Sequence, residues 1–228
     1  MTTIYSLAVE PSQIPVINKL PAKFDSVYLG SDVCEHKIPS LSDVSKVLPL
    51  CRKIIIPLPP LTDRIMENAA FLFEKALKMD AEIEASPNDI GTLLFLRERF
   101  GNSLTINMGR HLFGIQAKNS LAYTENFSRE YDINCFESDD PHTATSFLQT
   151  GRFKIAFHYP YRCYAMTRTC NYNVSITEKC SRKCGLKYIP LGNTGILWHG
   201  NAYYLKISEM PSVLPQRVII THNFLEKK

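Results

Sequence analysis

Seven short apolar segments, each followed by a segment long enough for a helix, constrain this chain more than any other feature. They are IYSLAV (4–9), SVYLG (26–30), KIIIPL (53–58), AEIEAS (81–86), SLTINM (103–108), DINCFES (132–138) and FKIAFHY (153–159). Regular alternation of this kind argues for parallel βαβ units. Most of the segments are apolar throughout, as strands covered on both faces are. The expected fold is α/β, a parallel (β/α) barrel of the TIM type, read as incomplete because few elements remain after residue 205. An open doubly wound sheet is the second reading. The clearest helix is DRIMENAAFLFEKALKM, whose Ile65, Ala69, Leu72, Phe73, Ala76 and Leu77 recur at helical spacing. Ser40 or Ser42 would cap the helix before it, and Asn88 the helix after AEIEAS.

After Cys184 the pattern changes. KYIPLG, GILWHG and NAYYLKI read as short antiparallel strands joined by Gly-Asn turns, and RVIITHNF is placed to close the sheet. Residues 1–228 form one domain, with a cysteine-rich loop at 161–187. Apolar residues make up 45% of the chain and charged residues 21%, so a packed core is expected rather than disorder. The net charge of +4 is mildly basic, and a dedicated nucleic-acid binder usually shows a denser basic patch. The chain's densest basic group, Arg182, Lys183 and Lys187, reads as a solvated face, with phosphate contact as the lesser alternative.

The N-terminus has no basic segment ahead of its short apolar run, and no apolar run reaches the length of a membrane span. A cytoplasmic protein is expected. In that reducing compartment, seven cysteines point to metal or redox chemistry rather than to a disulfide framework. Four of them fall between Cys163 and Cys184. In parallel barrels chemistry gathers on the loops that follow the strands. Cys34 lies four residues past SVYLG, and Cys163 four past FKIAFHY. Both loops would open on one face, joining Cys34 to the distant cluster. Cys180 and Cys184 form a C-x3-C pair, which suits zinc or an iron–sulfur cluster. Cys170 competes for a fourth position. Cys51 and Cys135 read as buried small hydrophobes.

Glu84, Asn107, Arg110, His111 and Glu137 fall near strand ends, where each could line the mouth. His111 and Glu137 are the candidates for acid–base work. His158 and His199 sit in apolar stretches and read as hydrogen-bonded core histidines. There is no G-x-S-x-G and no H-E-x-x-H, the usual marks of a hydrolase.

Four segments, SVYLGSDVCEHK, AFHYPYRCYAMTR, EKCSRKC and ILWHGN, resemble the collagenase-like peptidase family (peptidase class U, number thirty-two) over roughly residues 26 to 205. The likeness leans toward the family's anaerobic ubiquinone-hydroxylation branch. It implies a 4Fe–4S cluster held by Cys34, Cys163, Cys180 and Cys184, with zinc as the alternative. In a partner branch two ligands are seven residues apart, the spacing of Cys163 and Cys170, so Cys170 is the alternative ligand. The resemblance implies an iron–sulfur subunit of an oxygen-independent hydroxylase, acting on an aromatic ring such as a ubiquinone precursor or on an RNA base. It also implies a homologous partner subunit in a heterodimer. The family's name implies a peptidase instead. A third reading is a non-catalytic partner with a structural metal.

Overall fold

A computed structural model describes residues 3–17, 24–167, 170, 172, 180, 184 and 188–221. The expected alternation is present. The strands are β1 (Ile4–Val9), β2 (Ser26–Leu29), β3 (Lys53–Leu58), β4 (Glu82–Pro87), β5 (Thr105–Met108), β6 (Ile133–Ser138) and β7 (Ile155–Tyr159). Between them lie α1 (Ile14–Ile17), α2 (Leu41–Val47), α3 (Asp63–Ala76), α4 (Ile90–Phe100), α5 (Arg110–Gln116), α6 (Leu121–Glu130) and α7 (Pro141–Gln149).

The helix starts follow local chemistry. Ser40 caps α2 by accepting from Asp43 N, and Asp43 returns a bond to the Ser40 backbone, a capping box. Asp140 caps α7 and Ser120 caps α6 in the same way at their third residues. Asp89, not Asn88, caps α4. Asn88 is buried instead, and its amide donates to the Leu58 and Ser86 carbonyls while its oxygen accepts from His111 N.

After β7 come β8 (Tyr161–Met166), β9 (Ile189–Pro190), β10 (Ile196–His199), β11 (Ala202–Lys206) and β12 (Arg217–Thr221). The β8 to β11 strands form a separate antiparallel sheet in the order β8-β11-β10-β9. Strand β12 returns to the barrel and pairs in parallel with β7 on one side and β1 on the other. The barrel is therefore closed, eight strands all parallel, in the order β1-β12-β7-β6-β5-β4-β3-β2. This corrects the expectation of an incomplete barrel. RVIIT supplies the eighth strand, and among the described residues between β7 and β12 the β8–β11 sheet stands where a helix would be expected. No barrel edge is left for a partner to cover.

The barrel buries two apolar groups on opposite sides of its wall. Outward residues such as Leu7, Leu29, Ile56, Leu58, Ile106 and Phe157 pack with Phe73, Leu93, Phe113 and Phe147 from the helices. Inward residues stack in layers of four from alternate strands. Followed through the registers and the tilt of the strands, the lowest layer is Ser26, Glu84, Cys135 and Arg217. Above it lie Ser6, Ile55, Asn107 and Ala156, then Tyr28, Ser86, Glu137 and Ile219. Ala8, Pro57, Gly109 and His158 form the top. Tyr28, Ile55, Cys135, Ala156, Ile219 and Ala8 make a small apolar group in this lumen.

Candidate functional site

The C-terminal end of the barrel opens into a cavity. Its floor is Ala8, Pro57, His158 and Thr221, with Tyr28 beneath; its walls include Glu10, Asp32, Arg110, Tyr188, His199 and Tyr204. Three of the wall residues follow strand ends directly, Glu10 after β1, Asp32 after β2 and Arg110 after β5. The others belong to the four-stranded sheet or the segment leading into it, so that sheet roofs part of the mouth.

Charges in the walls are paired. Arg110 Nε donates to Asp32 Oδ2 at 2.5 Å, and its NH1 reaches Asp139 Oδ2 at 3.3 Å and the Tyr161 carbonyl at 3.1 Å. Burial pushes the Asp32 carboxyl up, but Arg110 and then His111, 3.5 Å away, outweigh it and hold it well below the usual carboxylate range. Glu10 Oε1 accepts from Lys37 Nζ at 2.6 Å and lies 2.9 Å from His199 Nε2. Burial likewise raises Glu10, while His199 and Lys37 bring it below its ordinary value. Tyr188 stacks between Tyr161 (4.5 Å between centroids) and His199 (4.8 Å), with Tyr204 edge-on at 5.1 Å.

The cysteines divide into groups. Burial pushes the Cys34 thiol up to about 11, the Cys180 and Cys184 sulfurs add to this, and Lys37 opposes it. Cys184 is raised by burial, with Cys170 and Cys180 contributing and Lys37 opposing. Cys180 and Cys184 thus lie within electrostatic reach of Cys34, and Cys170 within reach of Cys184. Cys163 has a different setting. It lies within β8 rather than on a loop, its N–H donates to Asp139 Oδ2 at 2.8 Å, and its thiol is pushed to about 12 by burial against the opposing charge of Arg110. Cys34 and Cys163 do share one apolar cluster with Val33, Tyr161, Ala202 and Tyr204. Among the described residues no group of three or more His, Cys, Asp or Glu side chains stands in an arrangement that could hold a metal ion. Cys51 and Cys135 are thiols held in apolar surroundings, raised by burial to about 11 and 12. Arg182, Lys183 and Lys187 lie outside the described residues.

The polar candidates divide too. Glu84 and Asn107 do not line the mouth. They lie in the lower lumen, where Glu84 is buried with Lys53, with Asn107 Nδ2 at 2.8 Å and with Arg217 NH1 at 3.6 Å. Each strand contributes inward residues at both ends of the barrel, and these two fall on the lower layers. Arg110 is at the mouth, and His111 is beside Asp32. Glu137 is fully buried one layer below the floor, with Oε2 2.9 Å from His158 Nε2. His158 and His199 are hydrogen-bonded as expected, but both also face the cavity. Glu10 and Asp32 were accessible to the strand-end rule that singled out Cys34. Tyr188 and Tyr204 were not, because only docking of the second sheet brings them there. Comparison with protein-family models, with curated proteins and with solved structures finds no match.

Proposed function

We propose that this chain is a cytoplasmic iron–sulfur protein of the collagenase-like peptidase kind, a subunit of an oxygen-independent hydroxylase. Its substrate would be an aromatic ring, such as a quinone precursor, or an RNA base, and a homologous subunit would complete the enzyme. The observation that carries the reading is that Cys34 and Cys163, far apart in the sequence, pack against one apolar cluster at the mouth, while Cys180 and Cys184 act electrostatically on Cys34. A soft, all-thiol donor set suits an iron–sulfur cluster or zinc.

Cys34, Cys180 and Cys184 would be three ligands. Cys163, which shares an apolar cluster with Cys34, would be the fourth, with Cys170 as the alternative. When bound, a cluster would supply one-electron transfer at the mouth. The protein's own share is electrostatic and steric. Lys37 sits next to Cys34 and Cys184 and favours their thiolate forms. The aromatic wall of Tyr188 and Tyr204 offers a planar ligand a stacking surface.

The test is anaerobic purification followed by an absorption spectrum and iron, sulfide and zinc analysis. Wild type should show broad visible absorbance with iron and sulfide. Cys34→Ser should lose it, and of Cys163→Ser and Cys170→Ser one should lose it and the other keep it. A colourless wild type, or zinc without sulfide, overturns the cluster.

A further inference from the structure

The lumen holds a pair of ionisable groups that a thiol-bound centre does not use. Glu137, on β6, is a carboxyl with no exposed surface. It lies one layer below His158, on the neighbouring β7, and accepts from His158 Nε2 at 2.9 Å. Lys53 and Arg217 are taken up by Glu84 and Tyr28 toward the lower end, and Asp32 acts on His158 from the mouth side. The group facing Glu137 is thus His158, with Tyr28 at its side, 6.0 Å from the His158 ring and edge-on.

Two further facts point to a ligand. The second Glu137 oxygen, Oε1, is buried and has no hydrogen-bond partner among the described residues. Ser86 Oγ, in the same layer on β4, is also buried without one. Buried polar atoms left this way are costly unless something meets them. His158 itself forms part of the cavity floor, and no bond from a described residue reaches its other ring nitrogen, Nδ1.

We propose that His158 is the acid–base residue of the mouth cavity and that Glu137 is its positioning residue. In the neutral ring Nε2–H donates to Glu137, which leaves Nδ1 as an acceptor toward the cavity. A ligand bearing an ionisable O–H or N–H transfers that proton to Nδ1. The ligand is left as its anion and His158 as an imidazolium, whose charge the Glu137 carboxylate offsets without solvent. Protonation of the product reverses the transfer. The same logic of a base held by a buried acid operates in hydrolytic triads. The pair is built entirely on barrel strands, so it does not depend on the cysteine centre.

The probe is 4-nitrophenol, whose neutral and anionic forms absorb at different wavelengths. Difference spectra are recorded against ligand-free protein at a pH where the free probe is mostly neutral. Wild type should bind it as the phenolate whether or not the preparation carries iron and sulfide, which separates this inference from that about the cluster. His158→Gln should bind it in the neutral form. Glu137→Gln should lower the phenolate fraction at least severalfold. Nitrogen-15 NMR of the histidine rings in wild type should show an Nε2-protonated His158, and this tautomer should be lost in Glu137→Gln. Neutral probe bound to wild type, no probe bound by wild type, phenolate retained in folded His158→Gln, or an Nδ1-protonated wild-type ring would each overturn the proposal.

Discussion

At the scale of single residues, the mouth is a set of buried charges whose positions are held by one another. Arg110 is the clearest case. It reaches Asp32, Asp139 and the Tyr161 carbonyl at once, and so ties the loop after β2 to that after β6 and to β8. Asp32 is held below its ordinary value, so its contribution to stability is full above about pH 4, the unfolded carboxyl value. It is lost as the pH falls through the lower folded value. Asp32→Asn should cost about 3 kcal/mol in urea denaturation at neutral pH, because Arg110 keeps only its weaker partner. The variant's stability should also depend less on pH below about pH 4 than that of the wild type. Equal acid sensitivity in the two proteins would show that Asp32 does not titrate as this environment requires. Gly109 shows the opposite kind of constraint, one of space. A Cβ there would fall 2.4 Å from the Asn88 side chain, which is committed to three backbone groups.

At the scale of elements, the antiparallel sheet is attached to the barrel by a few polar links as well as by a small apolar cluster. Asn201, at the β10–β11 turn, donates to the Val33 carbonyl at 2.5 Å and to the Thr167 carbonyl at 2.7 Å. Val33 precedes Cys34, so this one amide sets the distance between the sheet and the Cys34 loop. Asn201→Ala leaves both carbonyls short of a donor and should cost about 1–3 kcal/mol. The loss should be local. Hydrogen exchange should quicken at the amides of β10 and β11 while β3 and β4 stay protected. Uniform loss of protection would mean that sheet and barrel unfold as one unit. The seven barrel strands before residue 160 were legible from apolar runs punctuated by caps and turns, most of them to within one or two residues. Strand β8 was not legible. TyrArgCysTyrAlaMet exposes half of its residues without regular alternation, and its partner β11 is some forty residues away, so no local period marks it.

At the scale of the whole molecule, closure depends on the last strand. Arg217–Thr221 pairs with both β1 and β7, and Arg217 reaches across the lumen to Tyr28 Oη and Glu84. A chain ending before Arg217 keeps most of the barrel core but bares two edges and the lumen between them. It should aggregate or unfold without a cooperative transition, as followed by circular dichroism and light scattering. A stable monomer of that length would show that seven strands suffice.

Local chemistry determined much of this protein. Strand and helix order and the parallel class follow from patterns within about ten residues, joined by the rule that loops after parallel strands share a face. Closure, the layer on which each inward residue falls, and the placement of Cys163 within β8 rather than on a loop were decided by tertiary structure. The physical reason is that register and tilt are properties of strand pairs. One residue of shift sends a side chain from the wall to the lumen, and two move it from the mouth to the base. Glu84 and Glu137 carry the same group on neighbouring even strands, and this placement alone puts one in a structural network and the other beneath the cavity floor.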